Sequence, residues 1–408
     1  MTSEPSIPPD FETIVADDTG SDGAAVPPIV QTSLFTFASV AEMEAAFRAP
    51  ETHPVYTRGL NPTVRAFERK IAALERAEDA RGFASGMGAI SATLLGLLKT
   101  GERAVCVRNV YPDAYRLMTG LMARMGIETV FVDGRDLGAV RQAVAGARLL
   151  YLESPTSMTF DVLDLPRLAA LAREAGAVSV VDNSWASPAF QRPVEHGVDL
   201  VVHSASKYIS GHSDTVAGVV CGRADLIAEI NRVAYPGLGA KLSPFDAWLL
   251  IRGLRTLPMR MRRHHRSGLT IAARLAAHPA VSGVLHPGLG GALEGSTLSG
   301  CSSLFAFRLR AGAAAARRFC DALGLVRLGV SWGGHESLAF PAQLGLIQPG
   351  LTNSFSAFAV PDDMVRLHVG LEDVEDIWGD IERALDRCDR PARALAPDSE
   401  HQPTGENQ

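Results

Sequence analysis

Short apolar runs alternate with helical patterns in the middle of the chain. The runs predict strands at residues 104–107, 129–132, 149–152, 178–181, 200–202 and 216–220. Between the third and fourth runs, a helix is predicted to begin near Pro166 and to end at Gly176. Strands that are apolar along their whole length and alternate with helices are typical of a mostly parallel sheet that is covered on both faces. We therefore predict an α/β fold.

The segments before this region have a different pattern. Residues 1–60 show no sustained periodicity, and we interpret them as an arm that lies along its own domain or along a partner subunit. From residue 62 onward, apolar residues recur at the spacing of one helix face. A second, apolar helix is predicted to begin at Ser85-Gly86-Met87-Gly88. The small residues at its start leave N–H groups that can bind an anion.

The last third of the chain predicts a second domain. Ser243, followed three residues later by Asp246, resembles a capping box at the start of a long, arginine-rich helix. We interpret that helix as solvated or subunit-facing, because no aromatic residues interrupt the basic run as they would in a nucleic-acid site. Strands at residues 304–309 and 365–370 and a helix at residues 374–385 complete the pattern. The predicted organisation is an arm (1–60), a large domain (61–242), a smaller α/β domain (243–395) and a disordered tail (396–408).

Polar residues follow four of the predicted strands at the point where each strand ends. Tyr111 comes after the first strand, Glu153 after the third, Asp182 after the fourth and the segment 204–207 after the fifth. In an open α/β sheet, ligands bind outside the carboxyl ends of the strands. We therefore expect these side chains to converge on one site.

Lys207 is conspicuous because the chain has only four lysines among its 39 basic residues. Arginine serves wherever a positive charge is enough, but it cannot lose its proton and act as a nucleophile. A desolvated lysine can. Ser204 and Ser206 lie beside Lys207 in the sequence. The stretch therefore combines an amine that can attack a carbonyl with two hydroxyls that can hold an anion.

The composition argues against several classes of protein. A net charge of −6 disfavours a nucleic-acid or anionic-membrane partner. No run approaches ~20 consecutive apolar residues and the N-terminus is unlike a signal peptide, so a cytoplasmic protein is expected. The five cysteines are scattered and the 11 histidines include no metal-binding pair, which predicts neither a disulfide framework nor a metal site.

The predicted site offers an amine, an acid, an aromatic ring and anion-binding groups. Pyridoxal phosphate requires this set: a lysine for its Schiff base, a carboxylate beside its pyridine nitrogen, a ring over its own ring, and donors to its phosphate. A nicotinamide-dependent oxidoreductase fits less well, because the chain lacks the Gly-x-Gly-x-x-Gly fingerprint.

The stretch His203-Ser-Ala-Ser-Lys207-Tyr-Ile-Ser-Gly-His-Ser-Asp214 resembles the signature of the Cys/Met-metabolism family of pyridoxal-phosphate enzymes. The similarity extends over about residues 27–385. It implies fold type I, with a mostly parallel seven-stranded sheet in the large domain. It also implies that Lys207 holds the cofactor and moves protons, that Asp182 pairs with the pyridine nitrogen and that Tyr111 stacks on the ring. The cofactor's phosphate would be bound by Gly86, Met87, Ser204 and Ser206.

The same resemblance implies a shared active site. Tyr56 and Arg58 match a pair that family members lend to the phosphate site of the neighbouring subunit, so a homo-oligomer, arranged as a dimer of dimers, is expected. Arg366 matches the arginine that binds the α-carboxylate of an amino-acid substrate. The implied substrate site is made of Arg366, Ser331, Trp332, Tyr56 and Tyr111.

Details of the resemblance favour bacterial cystathionine β-lyase within the family. Ser157 stands where many γ-acting members have Asn, and the stretches 182–185 and 331–337 are similar to β-lyase motifs. Val330 matches neither branch. We therefore expect elimination from cystathionine or a related S-substituted cysteine to a thiol, pyruvate and ammonia. Elimination or replacement at the γ-carbon needs the same residues and remains the alternative. A non-catalytic regulatory protein with this fold is the alternative from another class.

Overall fold

The computed structural model describes residue 7 and residues 9–18, 23–347 and 352–388. Its larger sheet has seven strands in the order β1-β7-β6-β5-β4-β2-β3. Strands β2 to β6 run parallel to one another, and β7 is antiparallel to both of its neighbours. The predicted mostly parallel seven-stranded sheet is confirmed. The strands are β1 Asp79–Phe83, β2 Arg103–Val107, β3 Glu128–Val132, β4 Leu149–Glu153, β5 Val178–Asp182, β6 Leu200–His203 and β7 Gly218–Gly222.

Two strands of the larger sheet differ from the predicted pattern. The apolar run of the last predicted strand begins at Val216, but Val216 is exposed and β7 starts only at Gly218. Strand β1 was not predicted, because Arg81 interrupts its apolar character. The Arg81 side chain is nevertheless buried, with its guanidinium over the ring of Tyr235 at 4.1 Å. Tertiary partners therefore allow a strand that its own sequence does not indicate.

A second, five-stranded sheet has the order β10-β11-β12-β9-β8. Its strands are β8 Val281–Leu285, β9 Leu304–Leu309, β10 Arg327–Leu328, β11 Leu338–Pro341 and β12 Met364–His368. The two sheets lie on either side of residue 243 in the sequence. The exact domain boundaries stay a prediction, and the predicted tail lies outside the described residues.

Helices cover the sheets and connect their strands. Within the described residues, Leu117–Met122 forms a π-helical turn and Pro193–His196 a 3₁₀ turn. The α-helices are α1 Pro9–Ala16, α2 Val40–Arg48, α3 Pro62–Glu75, α4 Gly86–Leu97, α5 Pro112–Arg116, α6 Leu137–Val144, α7 Leu165–Glu174, α8 Ser187–Phe190, α9 Ala224–Val233, α10 Tyr235–Leu238, α11 Pro244–Arg255, α12 Leu257–Ala277, α13 Gly312–Ala322, α14 Gln343–Leu346, α15 Ser354–Ala357 and α16 Val374–Cys388.

The arginine-rich segment is neither one long helix nor solvated throughout, whereas a subunit-facing surface stays a prediction. The segment forms two helices, α11 and α12, which meet at Thr256. Arg260, His264 and His265 of α12 are buried. The guanidinium of Arg260 donates to the carbonyl oxygens of Tyr208 at 2.7 Å and Gly253 at 2.8 Å. It thereby satisfies two buried acceptors and fixes the chain just after Lys207.

The N-terminal arm contacts its own chain. Trp248 of α11 donates to the carbonyl oxygen of Pro27 at 3.1 Å, and Thr63 of α3 donates to that of Pro28 at 2.8 Å. Among the described residues, no helix is both long and apolar enough to cross a membrane, and no cluster of His, Cys, Asp and Glu could hold a metal ion. The five cysteines are free and buried.

Gly218 lies directly under the start of α4. A Cβ atom at Gly218 would come within 2.2 Å of the carbonyl oxygen of Ser85. We expect Gly218→Ala to lower the free energy of unfolding by about 1–3 kcal/mol through overpacking. A Cβ at Gly283 in β8 would meet nothing within 4 Å, so Gly283→Ala is the matched control. Chemical denaturation of both variants checks this expectation, and equal stability of the two would contradict it.

Candidate active site

Lys207 lies in the loop that follows β6. Its amine donates to the Ser331 hydroxyl at 2.8 Å and lies 5.4 Å from the centre of the Trp332 ring. The structure therefore brings Lys207 together with Ser331 and Trp332, which lie more than a hundred residues later in the sequence. The loop that carries Ser331 belongs to the second sheet's half of the chain, so the site lies between the two sheets.

The surroundings of Lys207 favour its neutral form. Burial, the largest cause, and the Arg366 cation together lower the pKa of its amine to about 8, while Asp182 opposes the change. Desolvation and a like charge both disfavour the ammonium ion. The uncharged amine, which is the form that attacks a carbonyl or removes a proton, is therefore more populated near neutral pH than in an ordinary lysine, although the ammonium ion still predominates.

Two buried carboxyl groups face each other at the ends of neighbouring strands. Asp182 of β5 is the register partner of Glu153 of β4. Burial raises the pKa of Asp182, while Ser184, whose N–H donates to Asp182 at 2.9 Å, lowers it. Burial and the Asp182 charge raise the pKa of Glu153 to about 8. A buried carboxylate in this setting is stabilised by a cation, and the protonated pyridine nitrogen of pyridoxal phosphate fits that requirement.

The start of α4 forms a cradle for an anion. Ser85 caps the helix by accepting from the N–H of Gly88 at 2.9 Å, which leaves the N–H groups of Gly86 and Met87 without an intrahelical partner. A Cβ at Gly86 would lie 2.8 Å from the Cβ of Ser204, so the loop after β6 approaches the helix as closely as glycine allows. Backbone N–H groups at a helix start fit a phosphate.

The two serines of this loop differ in what they can offer. The Ser206 hydroxyl donates to the carbonyl oxygen of Ala217 at 3.1 Å and accepts from its N–H at 2.9 Å. Its proton is therefore committed to the backbone. Ser204 borders the start of α4 directly, and its own N–H donates to the Ser184 hydroxyl at 2.7 Å. Both serines remain predicted phosphate ligands, and Ser204 is the better placed.

Tyr111 immediately precedes α5, and its side chain is 40% exposed. Its N–H donates to the Glu153 carboxylate at 2.8 Å, and its hydroxyl donates to Asp113 at 2.9 Å. Partial burial and the Asp113 charge raise the pKa of Tyr111 well above its usual value, while Arg366 opposes this change. The phenol therefore keeps its proton, and hydrogen bonds made by the backbone N–H and by the hydroxyl fix the position of Tyr111.

Two side chains of strand β12, Arg366 and His368, form hydrogen bonds with one loop. Arg366 donates to the carbonyl oxygen of Val330 at 2.7 Å, and Nε2 of His368 accepts from the N–H of Gly333 at 3.1 Å. Residues two apart on a strand share a face, so both ends of the loop that presents Ser331 are fastened to the same strand. Burial lowers the pKa of Arg366 to about 10 and that of His368 to about 4.

Tyr56 and Arg58 contribute to no contact with Lys207 among the described residues. Both are exposed, and the Arg58 guanidinium lies 5.6 Å from the centre of the Tyr56 ring. Tyr56 also forms an isolated bridge with Leu34 of the arm. Their role in a neighbouring subunit stays a prediction, as does the oligomeric state.

Three residues of the site were missing from the predicted set. Glu153 was noted at a strand end but given no role, and its contact with Tyr111 depends on tertiary structure. His368 shares the strand face of Arg366, which is a signal that the sequence contained. Asp113 follows Tyr111 by two residues, and nothing in its local pattern indicates that the two side chains meet.

The interaction between Arg366 and Lys207 can be tested in the protein freed of pyridoxal phosphate. Replacing Arg366 by Gln removes a like charge, so the pKa of Lys207 is expected to rise, whereas Arg366→Lys keeps the charge and is the matched control. The measurement is the pH dependence of Lys207 acetylation by acetic anhydride, followed by mass spectrometry. An unchanged midpoint in Arg366→Gln would show that this charge does not act on Lys207.

The chain matches known proteins over most of its length. The model of the Cys/Met metabolism PLP-dependent enzyme family matches residues 13–386. L-methionine γ-lyase of Pseudomonas putida is 39% identical over 374 residues, which cover 89% of this chain and 93% of that protein. Cystathionine γ-synthase of Mycobacterium tuberculosis is 37% identical over 369 residues, with 89% and 92% covered.

A solved structure extends the similarity to three dimensions. The crystal structure of metB from Corynebacterium glutamicum superposes with a TM-score of 0.85 at 34% identity and covers 92% of this chain and 97% of that chain. Fold type I and dependence on pyridoxal phosphate follow for this chain, and its buried amine, carboxyl pair and helix-start cradle fit that cofactor. The chain therefore belongs to the Cys/Met metabolism family of pyridoxal-phosphate-dependent enzymes.

Proposed function

We propose that the chain is a lyase that removes the γ-substituent of an L-amino acid by cleaving a carbon–sulfur bond. The observation that carries this proposal is the identity of its relatives. A methionine γ-lyase and a cystathionine γ-synthase each align with 89% of the chain. The comparisons thus favour the γ-acting alternative over the β-elimination that the sequence motifs led us to expect.

Arg366 would bind the α-carboxylate of the substrate, and Lys207 would act on its α-proton. A guanidinium can bind the α-carboxylate of the substrate through two parallel hydrogen bonds. When bound, pyridoxal phosphate supplies the electron sink that makes the α-proton acidic. Lys207 would remove that proton, since a pKa lowered to about 8 makes its uncharged amine far more available near neutral pH than that of an ordinary lysine.

Elimination at Cγ requires more of the protein than elimination at Cβ does. A second proton must leave from Cβ, and the departing sulfur must gain one. Lys207 would serve as the base in both removals, with its amine directed by Ser331. Tyr111 keeps its phenolic proton, but its hydroxyl donates to Asp113, so it could deliver that proton to the sulfur only after this hydrogen bond breaks. Overall, the amino acid and one water would yield a thiol, 2-oxobutyrate and ammonia.

β-Elimination is the second candidate, and one contact favours it. Ser157, which stands where many γ-acting members have Asn, donates its hydroxyl proton to the Glu153 carboxylate. Glu153 in turn holds the N–H of Tyr111. The substitution therefore changes the hydrogen bonding beside the ring of Tyr111, where the two branches of the family would differ in proton transfer.

The 2-oxo acid released from L-cystathionine distinguishes the two reactions. We expect the enzyme loaded with pyridoxal phosphate to release 2-oxobutyrate and cysteine, identified by chromatography and mass spectrometry. Pyruvate with homocysteine would instead establish β-elimination. If neither acid forms, parallel incubation with L-methionine tests whether a smaller thioether is accepted.

A Lys207→Ala variant tests whether the protein acts as a catalyst. Loss of the amine removes the predicted base, so the rate of 2-oxo acid release is expected to fall at least about a hundredfold. Lys99→Ala, which changes an exposed residue beyond the end of α4, is the matched control. A biological effect that survives in Lys207→Ala would support the non-catalytic regulatory alternative.

A further inference from the structure

Asp113 is a carboxylate at the site with no role in the reaction described above. Its Oδ2 accepts a hydrogen bond from the Tyr111 hydroxyl at 2.9 Å, and its Oδ1 forms an ion pair with Arg116 at 2.6 Å. The Asp113 side chain is 43% exposed, against 20% for Arg116. The carboxylate is therefore the more accessible member of this ion pair.

The oxygen atoms of Asp113 and Tyr111 can accept hydrogen bonds from a ligand but cannot donate hydrogen bonds to it. An ionised carboxylate only accepts hydrogen bonds. Because Tyr111 donates its single hydroxyl proton to Asp113, the phenol oxygen also presents only lone pairs. A ligand group that carries several N–H donors and a positive charge could bind both residues at once. An apolar group would gain nothing from either, and a carboxylate has no N–H to donate to them.

The position of Tyr111 connects the Asp113 carboxylate with the predicted substrate site. The Tyr111 N–H donates to Glu153, which is the register partner of Asp182, and the charge of Arg366 acts on the Tyr111 phenol, so Tyr111 lies among the groups predicted to hold the amino acid and the cofactor. Arg366 and Lys207 are cations and suit the α-carboxylate end. Asp113 joins the site through the hydroxyl at the far tip of the Tyr111 ring. It would border the side-chain end of a substrate whose α-carboxylate is bound by Arg366.

We propose that Asp113 and the Tyr111 phenol oxygen form an acceptor site for a positively charged, N–H-bearing γ-substituent of the substrate. This specificity rests on the proposed function, since it names the class of γ-substituted amino acid that the enzyme takes. A substituent ending in an ammonium or guanidinium-like group is preferred over a methyl thioether of similar size.

Binding of two isosteric amino acids tests the site without elimination. L-Lysine and L-2-aminoheptanoic acid have side chains of equal length, only lysine ends in a cation, and neither carries a leaving group at Cγ. Calorimetry on the holoenzyme is expected to show lysine binding about fivefold more tightly, the upper range for a partly exposed ion pair. In Asp113→Asn this ratio should fall to about one. An unchanged ratio would overturn the proposal.

The matched control is Asp225→Asn. Asp225 is likewise an exposed aspartate paired with an arginine, Arg223, but it lies on α9 and contacts no residue of the site. This variant should keep the lysine preference of the unaltered enzyme. Thermal unfolding of both variants shows whether they are folded. A lysine preference lost equally in Asp225→Asn would point to a general charge effect and would also overturn the proposal.

Elimination kinetics separate this proposal from the proposed function. S-aminoethyl-homocysteine and S-propyl-homocysteine share the reacting carbon and sulfur and differ only in the terminal charge. Asp113→Asn should lower kcat/KM for the aminoethyl compound relative to the propyl compound by about fivefold. If neither compound is cleaved while the lysine preference and its dependence on Asp113 stand, the γ-lyase function fails and the cation site remains. An equal effect on both compounds would contradict the site.

Discussion

Everything at this site depends on the burial of several charged groups at one edge of the larger sheet. Lys207 and Arg366 bring two cations there, and Asp182 and Glu153 bring two carboxyl groups. Desolvation penalises each charged form, so the groups shift their pKa values toward neutrality or need partners. The result is a lysine that can be a base and a carboxyl pair that favours a bound cation. Both are suited to a pyridinium cofactor.

Both sheets contribute residues to this environment. The parallel strands β4, β5 and β6 carry Glu153, Asp182 and the loop of Lys207 to one edge. Strand β12 of the other sheet holds the loop of Ser331 from both ends. Gly333 in that loop has φ +85, and a Cβ there would come within 2.9 Å of the Lys207 Cα. A glycine is required because two backbones from different sheets meet at this point.

The chemistry common to the family and the choice of substrate are located in different parts of the site. Lys207, Asp182 and the start of α4 are suited to the cofactor, whatever bond is broken. Tyr111, with Asp113 at its hydroxyl and Glu153 at its N–H, lies where proton transfer and leaving-group recognition would differ between substrates. The stretch around Lys207 identifies the family, whereas the finer motifs at Ser157, 182–185 and 331–337 led toward the β-acting branch and the relatives favour the γ-acting one.

The sequence by itself determined the α/β class, the order of most strands and the position of the reactive lysine. These depend on local periodicity and on residue chemistry, which are written along the chain. Only the tertiary structure decided that Arg81 lies in a strand, that Arg260 is buried against the carbonyl oxygen of Tyr208, and that Asp113 receives the Tyr111 proton. The physical reason is that a polar side chain can be buried only where a partner offsets the cost of desolvation, and that partner comes from another part of the fold.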